Sequence, residues 1–261
     1  MNLVRLAWLY FRVGVMNEVQ YRLNFFVQVL QSGVALVTGL VVLNVVFTYA
    51  NTLNGWTHAE LLAVMGVHIL MSGIIKSAIQ PNMLRVMEDI REGTLDFVLT
   101  KPEDAQTLVS IREIRMWQMV DIALGAIVLA TAVTQLGRAI GVVEALLFGA
   151  TLCAGALMIY SFWLMLTTVA FWVVRMDHAV ELFQGIYQAG RWPVGIYPPA
   201  LRLSLTVLVP IAFAVTVPAE ALTKRLTPAA LLGAIALAVA LLVVSRRVWK
   251  FGLRHYTGAS A

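Results

Sequence analysis

The amino-acid sequence predicts an all-α integral membrane protein, with six transmembrane helices in a single transmembrane domain over residues 1–261. Of the 261 residues 60% are hydrophobic, and the mean hydropathy of +0.83 lies far above that of a soluble globular protein. Several segments supply the roughly 20 apolar residues that a helix needs to cross the hydrocarbon core. The lipid bilayer is therefore the first expected partner.

The first 22 residues predict an amphipathic helix that lies in the membrane interface. Apolar side chains recur there at helical spacing, namely Leu3, Leu6, Leu9, Tyr10 and Val13. Arg5, Arg12 and Arg22 are spread through the segment, which has neither a compact apolar core nor an Ala-x-Ala-like site. We therefore do not expect a cleavable signal peptide.

Five spans follow from apolar length alone. They cover residues 25–46, 61–79, 120–133 with their flanks, 146–174 and 229–244. Before the last of these lies an apolar stretch, residues 179–218, which Gly and Pro residues interrupt. Hydropathy favours residues 201–217 as the remaining crossing, although Pro210 and Pro218 make that stretch a poor regular span.

The distribution of charge orients the chain. Lys and Arg crowd into the termini and into the loops that six spans place on the same side, whereas Lys224 and Arg225 lie on the other side. Because cytoplasmic loops carry the Lys and Arg excess, both termini are expected in the cytoplasm. The net charge of +5 then reflects topology and attraction to anionic lipid, and nothing in it suggests a nucleic-acid partner.

Polar residues form a stripe on each of the first two spans. Steps of three and four residues place them on one helix face, and the candidates are Asn24, Gln28, Gln31, His68 and Ser72. Polar groups in hydrocarbon are costly unless they face a partner helix or water. The two stripes together predict a pathway or a subunit interface, and plain hydrogen bonding between helices is the alternative for each residue taken singly.

The sequence contains no catalytic or metal-binding pattern. It lacks a Gly-x-x-x-x-Gly-Lys-Ser/Thr phosphate-binding loop, a His-Glu-x-x-His and a Gly-x-Ser-x-Gly, and its single Cys153 excludes a cysteine-based metal cluster. Asp121 and Glu144 fall near predicted span ends, so no carboxylate is expected to pair with His68. We expect no catalytic residue, no metal and an energy source outside this chain. A lipid-modifying membrane enzyme that uses His68 and Glu60, and a non-catalytic channel or assembly protein, are the alternatives.

The longest polar loop, residues 80–116, predicts a docking element. Pro81 predicts a helix start, and the apolar residues that follow among charges predict a short amphipathic helix on the cytoplasmic surface. Gly93 predicts its end, because glycine readily adopts the left-handed conformation that closes helices. Thr94 and Asp96 then begin a second short turn, which ends at Pro102. A solvated charge cluster without a partner is the alternative.

Two motifs resemble those of the permease subunits of type 2 ATP-binding-cassette exporters. Residues 91–96 read Arg-Glu-Gly-Thr-Leu-Asp and are followed by Thr100-Lys101-Pro102. The first cytoplasmic loop of that family commonly reads Arg-Glu-x-Gly-Thr-Leu-Glu and then a Ser-Pro-like pair, so this chain has one residue fewer before the glycine and a lysine before the proline. The run Tyr-Pro-Pro-Ala-Leu-Arg at residues 197–202, after Arg-Trp-Pro at 191–193, is similar to the six-span bacterial branch.

The resemblance implies a role in ATP-driven export. It implies a dimer, either with itself or with a related permease, that binds two cytoplasmic ABC ATPase subunits in the bacterial inner membrane. This chain would then hold no cofactor, and ATP and Mg would bind to the partner. The loop would form a coupling helix, which carries over to the candidates Glu88, Asp89, Arg91, Glu92, Gly93, Thr94 and Asp96.

The resemblance also places the fifth crossing and bears on the cargo. The family pattern has that crossing near residues 179–197, with residues 198–227 as an external segment whose short helices re-enter the membrane. Cargo of the drug-like, lipid or glycan class is expected, and the apolar spans disfavour strongly charged solutes.

Overall fold

The computed structural model describes residues 8–12, 14, 16, 22–137, 139–173 and 178–256, and the fold is all-α. One isolated β-bridge, between Leu53 and Trp56, is found in this part of the chain. The helices are α1 Arg22–Tyr49, α2 His58–Ile74, α3 Gln80–Glu92, α4 Asp96–Leu99, α5 Ala105–Ser110, α6 Met119–Gln135, α7 Val142–Val169, α8 Ala179–Gln188, α9 Pro199–Leu203, α10 Val217–Thr223 and α11 Pro228–Leu253.

In the part of the chain that the structure describes, five helices are long and apolar enough to cross a bilayer. They are Leu23–Tyr49, His58–Glu92, Met116–Gln135, Val142–Val169 and Pro228–Leu253, and the number is six if a bent pair before the last one counts as a span. These five match the spans expected from apolar length. Of the interfacial helix predicted over residues 1–22, residues 8–12 are helical, and residues 1–7, 13, 15 and 17–21 lie outside the described residues, as does residue 174 of the predicted fourth span.

The second span and the helix predicted to follow it form one continuous helix of 35 residues, His58–Glu92. The sequence predicted a separate helix that starts at Pro81. A π-helical turn, Ile75–Ile79, accommodates this proline, which has no N–H to donate. The carbonyl of Ser77, four residues before Pro81, instead accepts a hydrogen bond from the backbone N–H of Arg115 at 2.9 Å. The missing bond is thus replaced, and the helix continues.

Helix α2 is the centre of the bundle and packs closely on α6. Glycines make this approach possible, because a Cβ on Gly66 would meet Leu129 and a Cβ on Gly125 would meet the backbone of Leu70. In the apolar window of the second span 67% of the residues are buried, against 11% in the first span. Helix α1 therefore leaves most of its surface to lipid or to another chain.

Residues 179–197 run from one end of the bundle to the other. Near the end where α3–α5 lie, hereafter the loop end, Phe183 packs against Trp163 of α7 at 5.0 Å. Further along, the Tyr187 hydroxyl donates to the carbonyl of His68. The carbonyl of Gly195 then accepts from Asn54, in the turn between α1 and α2, hereafter the hairpin end. Residues 179–197 therefore connect the loop end to the hairpin end, which is the course that the family pattern implied for the fifth crossing.

Residues 198–227 start and finish at the hairpin end. Gly195 meets Asn54 just before this segment, and Arg225 at its close donates to the neighbouring carbonyl of Gly55. Between these points Ala214 reaches the middle of α7, where it lies against Gly155. The helices on either side of residues 208–211 are bent by 76°. The straight crossing that hydropathy favoured over residues 201–217 is therefore not formed.

Candidate functional site

The two predicted polar stripes face a common cavity. It has a volume of about 420 Å³ and lies between α1, α2, the start of α6 and α8. Gln28 and Gln31 from the first stripe and His68 and Ser72 from the second line this cavity. Asn24 lies on an adjoining groove of about 320 Å³, which shares Gln28 with it. Four of the five candidates thus come together.

Hydrogen bonds link the stripe on α1 to α6. The amide of Gln118 donates to Gln28 Oε1, and Gln28 Nε2 donates to the Ser32 hydroxyl, both at 2.9 Å. Ser32 in turn donates to the buried carboxylate of Asp121, and Lys76 Nζ lies 3.5 Å from the same carboxylate. Gln28 therefore bonds to the helical turn before α6 through Gln118 and also lines the cavity, so the two interpretations of the stripe coexist there.

His68 is buried in the wall of the cavity. Its ring stacks on Tyr187 with the centroids 4.5 Å apart, and its Nδ1 has no hydrogen-bond partner among the described residues. Gly190 lies beside it, and a Cβ at that position would overlap the Ile211 side chain of the re-entrant segment. The close approach of these segments therefore requires glycine at position 190.

The third wall of the cavity was not predicted from the sequence. Gln184, Gln188 and Arg191 line it from α8 and the helical turn that follows. Their spacing of four and three residues is a signal of the same kind as the two stripes. The Gly and Pro residues that interrupt residues 179–218 obscured this helical spacing. The sequence also did not predict that Asp121 lines the cavity, because its position near the end of a predicted span suggested that its side chain contacts water.

Glu60 and His68 do not form a joint site. Glu60 lies at the hairpin end, where Arg225 donates to both of its carboxylate oxygens at 2.9 Å. The same carboxylate accepts from the backbone and hydroxyl of Thr57, which caps α2. Eight residues of helix separate Glu60 from His68, about 12 Å along the axis. The two residues considered for a lipid-modifying enzyme are therefore far apart, and the Glu60 carboxylate is already bonded to Arg225 and Thr57.

The predicted docking loop forms a tight turn at the end of α3. Gly93 has a φ of +72° and ends the helix in the left-handed conformation, as predicted. The backbone N–H groups of Thr94 and Leu95 donate to the carbonyl of Asp89, and α4 begins at Asp96. Side chains of Arg91 and Glu92 are exposed at this turn, while Glu88 is half-buried and paired with Arg85.

Asp89 points into the protein. Its side chain is 2% exposed and accepts hydrogen bonds from Arg112 at 2.6 Å and from the Thr94 hydroxyl at 3.1 Å, with Arg85 at 3.3 Å. In this arrangement Asp89 holds the turn and does not present a carboxylate to a partner. Of the seven coupling candidates, it is the one that the structure places in the interior.

The turn also presents an aromatic side chain that sequence analysis did not single out. Phe97, on α4, is 75% exposed, although its neighbours Leu95 and Val98 are fully buried. Exposed Arg91, Glu92 and Lys101 surround it in sequence. Helix α4 covers only residues 96–99, so the sequence shows no helical periodicity from which the exposure of Phe97 could be inferred.

The segment that follows the turn is braced against the spans. Asn82 of α3 accepts from the backbone N–H of Glu113 and donates to its carbonyl. Tyr160 of α7 bonds to the side chains of Gln106 and Ser110. Arg246 of α11 pairs with Asp104 at 2.8 Å, and this hydrogen bond holds the pKa of the Asp104 carboxyl below its usual value. The loop is therefore held against α7 and α11 by side-chain hydrogen bonds and an ion pair.

Within the described residues no three His, Cys, Asp or Glu side chains are grouped as they would be to hold a metal ion. Comparison with known proteins gives one match. The family model described as ABC-2 family transporter protein matches residues 34–260. No curated protein and no solved structure matches the chain.

Proposed function

Because the chain belongs to the ABC-2 transporter family, we propose that it is the permease subunit of an ATP-driven exporter in the bacterial inner membrane. It works as a dimer, with itself or with a related permease, and both termini lie in the cytoplasm. ATP and Mg bind to separate ABC ATPase subunits. The exposed turn at the end of α3 is the observation that carries this proposal.

The turn has the features of a docking surface. Exposed Arg91 and Glu92 precede the exposed Phe97 by six and five residues, and an exposed aromatic residue near charges is typical of residues that dominate binding at interfaces. Gly93 and Thr94 shape the turn, and Asp96 begins α4 beside it. Asp89 contributes by position, since it anchors the turn from inside through Arg112.

The continuous helix supplies the coupling path. Residues 58–92 form one helix, and twenty residues separate Glu92 from Ser72, about 30 Å of helix. A displacement of the turn by the ATPase would therefore move the wall of the cavity that carries Ser72 and His68. ATP binding draws the ATPases together, and this movement alternates access to the cavity between the two sides of the membrane.

The helix α1 and the cavity support the dimer. Most of the first span is exposed on the single chain, and the cavity that it borders is open on one side. A second permease at this side would complete the walls of a pathway, with α1, α2 and α8 facing their counterparts. The side chains of the stripes that line the cavity would then face the pathway, while Gln28 also keeps its hydrogen bonds within the chain.

Gentle affinity purification of the chain from its native membrane tests the proposal. We expect a nucleotide-binding subunit to co-elute in stoichiometric amount, and we expect Glu92→Lys to remove it and abolish transport while the chain still inserts. Glu181→Lys is the matched control, because Glu181 is 76% exposed at the start of α8 and lies outside the turn.

Three results are informative. Loss of the ATPase with Glu92→Lys but not with Glu181→Lys supports docking at the turn. Normal transport by Glu92→Lys would remove the docking assignment. A chain that elutes alone, with no ATPase activity in the preparation, contradicts the exporter and returns attention to an enzyme or channel.

A further inference from the structure

The cavity carries more positive than negative charge. Lys76, Arg115 and Arg191 line it, together with the carboxylate of Asp121. Lys76 already faces that carboxylate at 3.5 Å. Arg115 and Arg191 have no carboxylate within ion-pair distance among the described residues. The cavity thus has unneutralised positive charge.

Arg191 lies at the level of His68 and is half-buried in the cavity wall. It follows Gly190, which lies beside the buried ring of His68, and it ends the helical turn Ala189–Arg191. Its Nη2 donates to Gln188 Oε1 at 3.0 Å, which engages one of the five N–H donors of a guanidinium. A guanidinium at membrane depth is costly without an anion to pair with it. No carboxylate among the described residues meets this requirement.

The same cavity has an apolar side. Leu36 of α1 and Met65 and Ile69 of α2 line it together with the polar residues. Ile69 follows His68 directly, so the apolar surface adjoins the deep polar groups. A molecule that fills the cavity therefore meets cationic and amide groups at one part and hydrocarbon at another.

We infer that the cavity takes the oxyanion head group of an amphipathic molecule, with Arg191 as its principal ligand. This inference rests on the proposed function, since it names the cargo class of that pathway. The guanidinium fork matches a phosphate or carboxylate through two parallel hydrogen bonds. The amides of Gln184 and Gln188 supply further donors and acceptors beside it. Hydropathy of the spans disfavours charged cargo, but a head group paired with Arg191 is neutralised.

Equilibrium binding of radiolabelled lysophosphatidic acid to the purified complex in detergent tests the inference. We expect saturable binding that Arg191→Gln weakens by about 10- to 100-fold, the range that corresponds to the loss of a charge-assisted pair. Arg202→Gln is the matched control, because Arg202 is exposed on α9 and does not line the cavity. Gln188→Glu should weaken binding as well, since it places a carboxylate beside Arg191, and Arg191→Lys should retain part of the binding.

Two competitors identify the source of the anion. Displacement by inorganic phosphate alone supports a soluble oxyanion as the ligand, and failure of phosphate to compete supports an amphipathic lipid. Equal affinity for a monoacylglycerol, which has no oxyanion, would overturn the inference, as would unchanged binding in both Arg191→Gln and Gln188→Glu. Absence of binding in a complex that retains its ATPase contradicts this inference and leaves the proposed function intact.

Discussion

At the scale of single residues, the buried carboxylate of Asp89 organises the exposed turn. It accepts from the side chain of Arg112, which lies on the far side of α4 and α5 in sequence, and its backbone carbonyl accepts from Thr94 and Leu95. The side chain and the backbone of one residue therefore close the turn together. Both residues carry a carboxylate, so residue type alone did not distinguish Asp89, which is buried, from Glu88, whose side chain is 43% exposed.

Asp89→Ala should destabilise the folded chain strongly. Removal of one partner leaves the Arg112 guanidinium unpaired in a partly buried site, which costs about 3 kcal/mol or more. Thermal unfolding of the purified protein in detergent measures the effect. Glu88→Ala is the control, and because its pair with Arg85 is exposed we expect a change of at most about 1 kcal/mol. Equal shifts for the two variants would contradict the anchoring role of Asp89.

At the scale of elements, the segment of residues 198–227 has both of its ends at the hairpin end. Asn54 meets Gly195 before it, and Gly55 and Glu60 meet Arg225 after it. Lys224 also pairs with Glu144 at the start of α7, at 3.3 Å. All of these contacts are at the hairpin end. The segment reaches α7 near Gly155 and returns. Its second half is mostly buried against the bundle, whereas Leu201, Leu203 and Val207 in its first half are exposed.

Cysteine accessibility should place both ends of this segment on one side of the membrane. In a Cys153→Ala background, Ala200→Cys and Ala229→Cys should react with a membrane-impermeant maleimide in intact cells, as should Asn51→Cys in the hairpin turn. All three positions are exposed. Lys101→Cys in the loop should react only after the cells are permeabilised. Reaction of Ala200→Cys and Ala229→Cys from opposite sides would mean that residues 199–223 cross the membrane.

At the scale of the whole molecule, one rigid helix joins the turn to the cavity, and the bracing of residues 104–115 ties that turn to α7 and α11. The connections run through Tyr160 and Arg246. A force on the turn therefore reaches three spans. The π-helical turn Ile75–Ile79 lies at the edge of the cavity, which its Lys76 lines, and such turns often occur at functional sites within helices.

Nucleotide should change access to the cavity. In the Cys153→Ala background, Ser72→Cys should react with maleimide at a rate that changes at least severalfold when ATP and Mg are added to the complex, because movement of the continuous helix opens or closes the cavity around position 72. Asn51→Cys, outside the cavity in the hairpin turn, is the control and should keep its rate. An unchanged rate at position 72 under ATP turnover would contradict coupling through this helix.

The sequence by itself determined the fold class and most of the elements. Long apolar runs fixed five spans, since the thickness of the bilayer sets the length of an apolar helix. The left-handed end of α3 at Gly93 followed from the special backbone freedom of glycine. Helical periodicity placed Gln28 with Gln31 on one face of α1, and His68 with Ser72 on one face of α2. These are local properties, written in the order of neighbouring residues.

Only the tertiary structure decided which residues meet. Asp121 lies 89 residues from Ser32, and Arg225 lies 165 residues from Glu60, so no spacing in the sequence pairs them. The continuity of α2 and α3 through Pro81 depends on a hydrogen bond from the distant Arg115. The burial of Asp89 and the exposure of Phe97 depend on which other parts of the chain pack against each residue. Long-range contacts decide these features, because a polar or apolar residue finds its partner only after the helices have assembled.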